Sequence, residues 1–216
     1  MNYKSTLSRV VTAVVFLLLV AIYFCRKQIG LTSELMLDIT KTAPVLSLSI
    51  ATLFCSNRKL ISLALLLSAA GDLAGEKGAF IAQISLFALA HIVYILDFTK
   101  LATFNRRSSI IISLWAVVVA IFGIFVIGNI DSSLLKVACA LYMIIIGTLA
   151  ATTLAINSRY RALYVIAALL FVFSDSCIAW NKFVEHFAGA GVAIMSTYFA
   201  AQGLFAWLAA KEEKNC

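Results

Sequence analysis

The sequence predicts an all-α, polytopic membrane protein, and three observations lead to that prediction. Hydrophobic residues make up 63% of the 216-residue chain and charged residues only 12%. A soluble globular chain has an apolar share nearer one half. The apolar residues also gather into eight runs, each long enough to cross a bilayer as a helix of roughly 20 residues. Because backbone polar groups inside a bilayer need internal partners, uninterrupted runs of this length indicate helices rather than barrel strands.

Taken in order, the apolar runs predict eight transmembrane helices joined by short loops. The first run follows Lys4 and Arg9, as in a signal peptide, but the bulky Tyr23 and Phe24 stand where a cleavage site needs small residues. We therefore expect a retained first helix and a single transmembrane domain over residues 1–216. The predicted helices are 8–25, 38–55, 60–75, 79–98, 109–127, 133–151, 161–180 and 189–209.

The basic residues carry a topology signal. The formal net charge is +7, but Lys and Arg lie in pairs at the ends of apolar runs rather than in one patch, so no nucleic acid partner is expected. Eleven of the 17 fall on the side of the two termini and six on the other. Under the positive-inside rule both termini are cytoplasmic, and we expect the inner membrane of a bacterium. The five cysteines show no CxxC spacing, which predicts buried free thiols.

Two aspartates interrupt the apolar runs. Asp72 ends the stretch Ser68-Ala69-Ala70-Gly71-Asp72, and Asp175 follows Phe171, Phe173 and Ser174. An ionised carboxylate is costly inside a membrane and usually has a partner or a function. The two lie 103 residues apart, at similar depth in the non-cytoplasmic half of the third and seventh helices. This predicts a parallel repeat of two four-helix halves, 8–98 and 109–209, with chance coincidence as the alternative.

Further polar residues lie in or beside the apolar runs. Lys41 either extends its ammonium to the interface or faces the aspartates, and Pro44 is expected to loosen the second helix. His91 and Tyr94 are three residues apart, and Tyr198 and Gln202 are four apart, so each pair shares a helix face. Hydrogen bonding between helices is the non-catalytic explanation of such residues. The candidate catalytic residues are Asp72 and Asp175, and the candidate substrate-binding or supporting residues are Lys41, His91, Tyr94, Asn181, Tyr198 and Gln202.

The absence of several catalytic motifs narrows the range of reaction mechanisms. The chain contains no Gly-x-Ser-x-Gly elbow and no P-loop, and its two histidines are too few for a His-rich zinc site. We therefore expect neither a serine-hydrolase mechanism nor a metal. A pair of carboxylates in unlike surroundings suits general acid and base catalysis.

These residues together resemble one known family. Lys41-x-x-Pro44, Ser68-x-x-Gly71-Asp72, Phe87-x-x-x-His91-x-x-Tyr94, Phe171-x-x-Ser174-Asp175 with Asn181, and Tyr198-x-x-x-Gln202 resemble, in that order, the YhhN-like lysoplasmalogenases over about residues 38–205. The resemblance implies eight helices and hydrolysis of the vinyl ether bond of lysoplasmalogens, with Asp72 and Asp175 at the positions of the two proposed catalytic aspartates. The sequence departs from the family at Thr42, where the family often has Pro, and at Gln83, where it has a small residue.

From these residues and this reaction we infer a mechanism that uses two aspartates and requires no cofactor. One protonates the vinyl ether, and the other, ionised, stabilises the resulting cation and activates water. Asp175 is our candidate acid because Phe171 and Phe173 make its surroundings apolar, and Asp72 is our candidate base beside Lys41; the reverse assignment stays open. The expected partners are a lysophospholipid substrate and membrane lipids, and the oligomeric state is left open.

Two other classes of function fit the same residues. Intramembrane acids, a lysine and a parallel repeat also suit a small proton-coupled transporter. A lipid-binding membrane protein without catalysis is the third interpretation. Flux without product would indicate the transporter, and lipid binding without turnover would indicate the third class.

Overall fold

The computed structural model describes residues 3–212, and their side chains from residue 8 onward. This part of the chain forms eight α-helices, with a single 3-10 turn at Thr99–Leu101 after the fourth. The prediction of eight helices is confirmed, and the predicted ends differ from the observed ones by at most five residues. The helices are α1 Tyr3–Cys25, α2 Glu34–Cys55, α3 Lys59–Glu76, α4 Phe80–Phe98, α5 Arg106–Gly128, α6 Ser133–Leu154, α7 Arg161–Phe183 and α8 Ala190–Glu212.

Seven of the described helices are long and apolar enough to cross a membrane. The exception is α3, which has only 18 residues and contains Lys59, Asp72 and Glu76. Its charges lower its hydropathy, and one of them is the first of the two candidate catalytic aspartates. The polytopic all-α fold predicted from the sequence is therefore confirmed.

Polar caps set the starts of several helices. The Ser33 side chain accepts a hydrogen bond from the Met36 amide, so α2 begins at Glu34, a turn earlier than predicted. Asn105 and Ser108 form a capping box in which each side chain accepts from the other residue's amide, at 2.9 Å in both directions. This box starts α5 at Arg106 rather than at 109.

The chain divides into two compact units, Met1–Val93 with Gln202–Cys216, and Tyr94–Ala201. In the first unit, α2 packs against both α1 and α3. Two serines join α2 and α3, because Ser49 and Ser62 each donate to the other's backbone carbonyl at 2.8 Å. Such reciprocal hydrogen bonds hold helices together in a bilayer. The proposed sequence repeat, with halves 8–98 and 109–209, stays a prediction.

In the second unit, α6 packs against α5 and α7. The Trp115 indole donates to the Gly147 carbonyl at 2.9 Å, which joins α5 to α6. At one end of these helices the α4–α5 and α6–α7 loops form an antiparallel bridge between Ala102 and Ile156. Backbone hydrogen bonds on either side of the bridge, at 2.8 and 2.9 Å, fix the two loops beside each other.

The cysteines only partly match their prediction. Cys25, Cys55, Cys139 and Cys177 are free thiols, as expected, but Cys25 and Cys55 are exposed rather than buried. Each is the last residue of its helix, where few neighbours cover it. Cys216 lies outside the described residues.

Candidate functional site

Asp72 lies on the buried face of α3. That face includes Ile61, Leu65 and Ser68, which precede Asp72 at helical spacing, and only 2% of Asp72 is exposed. It lies 13 positions after Lys59, the first residue of α3, and so in the last third of the helix. Asp72 is therefore buried among the helices, and its catalytic role stays a prediction.

Close packing of α4 explains why the residue before Asp72 is a glycine. A Cβ atom placed on Gly71 would lie 3.3 Å from the ring of Phe87 on α4, closer than an ordinary contact. The ring of Phe87 is itself buried. Glycine at 71 therefore lets Phe87 pack directly against the backbone of α3, one residue from Asp72.

Glu76 is a charged residue near Asp72 that the sequence reasoning missed. It follows Asp72 by one helical turn, so the two lie on neighbouring positions of α3. The Lys41 ammonium on α2 lies 3.2 Å from the Glu76 carboxylate, and a guanidinium nitrogen of Arg26 lies 3.9 Å from it. The spacing of four between Asp72 and Glu76 was the available signal, but Glu76 ends an apolar run and resembles a solvated interface residue.

Lys41 therefore has a defined place in the first unit. Its side chain is only 14% exposed, and it lies two turns inside α2 rather than at the start of the helix. Its ammonium contacts the residue one turn from Asp72; direct pairing with an aspartate stays a prediction. Arg26 also contacts Thr40 on α2 and lies over the Tyr23 ring at 4.3 Å. These contacts tie the end of α1 to α2 and α3.

Pro44 lies inside α2, and Lys77 contacts the start of the same helix. The helix α2 continues through Pro44 without a break, although Pro has no amide hydrogen to donate to the helix. Beyond the end of α3, the Lys77 ammonium lies 2.8 Å from Asp38 and 3.6 Å from Glu34 of α2. The hydrogen bond to Asp38 raises the pKa of Lys77, which stays charged at neutral pH.

Two further candidates of the first unit are fully buried. His91 on α4 and Gln202 on α8 are each 0% exposed. His91 shares a face of α4 with Tyr94, and Gln202 shares a face of α8 with Tyr198. Both tyrosines belong to the second unit. The roles of His91 and Gln202 toward a substrate stay predictions.

Asp175 in the second unit has a specific partner. The Tyr142 hydroxyl on α6 donates a hydrogen bond to the Asp175 carboxylate on α7. The sequence reasoning did not select Tyr142, because it lies in an apolar run 33 residues earlier and has no polar neighbour within that run. A hydrogen bond of this kind fixes the side chain of Asp175 relative to both helices.

The expected apolar surroundings of Asp175 are only half correct. Phe171 precedes Asp175 by one helical turn and is fully buried, and its ring meets that of Tyr198 edge to face with centroids 5.4 Å apart. Phe173 is 53% exposed instead. Residues two apart on a helix do not face the same way, so Phe173 cannot share the surroundings of Asp175.

Ser174 and the remaining candidates in this unit make structural contacts. The Ser174 hydroxyl donates to the Ile194 carbonyl at 3.0 Å and joins α7 to α8. The Asn181 side-chain oxygen accepts from the Phe187 amide at 3.2 Å and orders the loop after α7. The Tyr94 ring stacks on that of Phe98, with centroids 5.7 Å apart. Any further contact of Asn181, Tyr94 or Tyr198 with substrate stays a prediction.

Comparison with known proteins gives one match. The model of the YhhN family matches residues 36–209, which cover most of the chain and include all eight candidate residues. The predicted resemblance is therefore confirmed. Searches of curated proteins and of solved structures each gave no match.

Proposed function

Because the chain belongs to the YhhN family, the family of lysoplasmalogenases, we propose that it is a membrane hydrolase that cleaves the vinyl ether bond of a lysophospholipid. The family supports a membrane hydrolase of this type. The substrate and the catalytic roles below are our proposal. The observation that carries them is the Tyr142–Asp175 hydrogen bond, which gives an intramembrane carboxylate a fixed orientation.

The proposed reaction consumes one water molecule. An acid protonates the β-carbon of the vinyl ether, the double-bond electrons form the new C–H bond, and an oxocarbenium-like cation results. Water adds to this cation and loses a proton to a base, giving a hemiacetal. The hemiacetal collapses to a fatty aldehyde and a glycerophospho-head group with a free hydroxyl.

Asp72 and Asp175 supply the acid and the base in this proposal. Their surroundings differ, since Asp72 lies one turn from the Lys41–Glu76 ion pair and Asp175 accepts from a tyrosine hydroxyl. Unlike surroundings are what allows two carboxylates to take opposite roles in one reaction. We keep Asp175 as the acid and Asp72 as the base, with the reverse assignment tested by the same variants. No cofactor enters the scheme.

The test is aldehyde release from a lysoplasmalogen by the purified protein in detergent or liposomes. We expect Asp72→Asn and Asp175→Asn each to lower the rate by at least about 100-fold, the usual size of a general acid or base contribution. Asp131→Asn is the matched control, because Asp131 is an exposed aspartate between α5 and α6. It should keep the wild-type rate.

Each failure has a distinct meaning. Wild-type protein that releases no aldehyde from any lysoplasmalogen would contradict the hydrolase function. Release that survives either aspartate substitution would contradict the paired mechanism but leave the function standing. Flux into liposomes without product would favour the proton-coupled transporter instead.

A second experiment tests whether the carboxylates can share a substrate. The two-acid scheme requires them to lie within about 5–10 Å. In a variant with Asp72→Cys and Asp175→Cys and the native cysteines removed, a bifunctional thiol reagent of about that span should join α3 to α7. Proteolysis between the helices would then leave one linked product. Separate fragments would contradict a shared site.

A further inference from the structure

An apolar groove lies in the second unit, and neither candidate aspartate is among its lining residues. It has a volume of about 330 Å³ and is formed by α5, α6 and α7. Three of its lining residues face outward from the helices, since Leu114, Val118 and Leu169 are 64%, 56% and 44% exposed. Because these helices are apolar enough to span a membrane, the groove opens toward lipid.

Basic residues gather at one end of this groove. The bridge between Ala102 and Ile156 holds the α4–α5 and α6–α7 loops beside each other. These loops and the helix starts that follow them carry five cations, namely Lys100, Arg106, Arg107, Arg159 and Arg161. The positive-inside rule predicts that this end is cytoplasmic.

Two of the arginines are in register with the groove. Arg107 precedes the lining residue Ile111 by four positions on α5, and Arg161 precedes the lining residue Val165 by four on α7. Residues four apart share a helix face, so both guanidinium groups lie at the end of the lining stripes. Arg161 also donates to the carbonyl of Leu154, a lining residue of α6, at 2.6 Å.

The described acidic residues of this unit place no exposed carboxylate at the cationic end. Asp131 and Glu185 lie in loops at the opposite helix ends, and Asp175 is nearer to that end of α7. Asp97, in the last turn of α4, is 3% exposed. The exposed charged residues at this end of the second unit are therefore basic.

We propose that the groove is a binding site for an anionic phospholipid, with one acyl chain lying along α5, α6 and α7 and the phosphate held by Arg107 and Arg161. Arginine binds phosphate through paired N–H donors, and basic pockets between transmembrane helices are typical sites for anionic head groups. The proposal does not depend on the proposed hydrolysis. The combination of an apolar groove and two in-register arginines selects both the chain and the charge of the lipid.

Trp115 lines the groove and provides the readout. In a variant with Trp180→Phe and Trp207→Phe, Trp115 is the remaining tryptophan. The full-length protein in detergent micelles is titrated with phosphatidylglycerol or phosphatidylcholine carrying brominated acyl chains, which quench tryptophan on contact. We expect saturable quenching at a lower concentration of brominated phosphatidylglycerol than of brominated phosphatidylcholine. The two concentrations should differ by about fivefold for each arginine.

Matched variants separate charge at the groove from charge in general. Arg107→Gln with Arg161→Gln should remove the preference for phosphatidylglycerol. Arg106→Gln should keep it, because Arg106 belongs to the same loop region but precedes Ile110, which does not line the groove. Val118→Phe should reduce quenching by both lipids by filling the groove at an exposed position.

Several outcomes would overturn the proposal. These are equal quenching by both lipids, a preference that survives loss of Arg107 and Arg161, or a preference lost equally in Arg106→Gln. Strongest quenching by a brominated lysophospholipid, insensitive to the arginines, would assign the groove to a substrate chain instead. Quenching prevented by self-association of the protein would assign it to a second copy.

Discussion

Tyr142 on α6 donates a hydrogen bond to the carboxylate of Asp175 on α7. The hydroxyl joins Asp175 to α6, a helix that no residue pattern connects with this aspartate. A carboxylate held in this way keeps one orientation relative to a substrate, whereas an unsupported side chain samples several rotamers. Tyr142 is therefore a positioning residue in the proposed mechanism.

Tyr142→Phe tests this role, which rests on the proposed hydrolase function. Removing a hydrogen bond to a neutral carboxyl group costs about 0.5–1.5 kcal/mol, so we expect kcat to fall about 2- to 10-fold with little change in KM. Tyr160→Phe is the control, because its hydroxyl lies beside Arg159 near the start of α7. A rise in KM at constant kcat would indicate a substrate contact, and an unchanged kcat would contradict the positioning role.

The ion pair between Lys41 and Glu76 yields a stability prediction. Glu76 faces two cations, with Lys41 at 3.2 Å and Arg26 at 3.9 Å, and its side chain is 19% exposed. Glu76→Gln leaves both cations without their carboxylate and should cost more than Lys41→Gln. We expect about 1–3 kcal/mol for Glu76→Gln, between the values for exposed and fully buried pairs.

Unfolding titrations in mixed micelles measure these changes. The double variant should cost less than the sum of the single ones, because each single substitution already breaks the pair. Lys77→Gln serves as the control, since its side chain is 49% exposed, and it should cost less than Lys41→Gln. Additive effects of Lys41→Gln and Glu76→Gln would show that the pair contributes nothing to stability.

The helices could be predicted from the sequence because hydropathy and length decide them in a bilayer. The ends could not, since α5 starts at Arg106 through the capping box of Asn105, a contact of only a few atoms. Asp72 and Asp175 could be selected because a buried charge is costly wherever it points. Tyr142 and Glu76 could not be selected, because their importance comes from a neighbour on the same or another helix rather than from their own residue type.

Gly71 gives a prediction about close helix packing. A side chain at this position would press on the buried Phe87 ring, which lies 3.3 Å from the expected Cβ. Gly71→Val should therefore destabilise the protein by about 1–3 kcal/mol, as overpacking commonly does. It should also lower aldehyde release if Asp72 is catalytic, because Asp72 is the next residue.

Gly191→Val is the matched control for this substitution. Gly191 is also helical, but no atom lies within 4 Å of its expected Cβ. It should change stability much less than Gly71→Val, as measured by the same unfolding titrations. Equal effects would show that helix propensity, rather than contact with Phe87, explains the glycine.

The exposed cysteines allow the predicted orientation to be tested. Cys25 is the last residue of α1 and Cys55 the last residue of α2, so helices running in opposite directions place them on opposite membrane faces. With both termini cytoplasmic, Cys25 faces outward and Cys55 faces the cytoplasm. In bacterial spheroplasts, an impermeant maleimide should label a variant that keeps only Cys25 and spare one that keeps only Cys55.

Both variants should label fully after the membrane is permeabilised, which corrects for unequal reactivity. That correction matters because the Cys55 thiol lies 3.0 Å from the Ser8 hydroxyl, and this contact affects how fast the thiol reacts. The reverse pattern, with Cys55 labelled in intact spheroplasts, would place both termini outside.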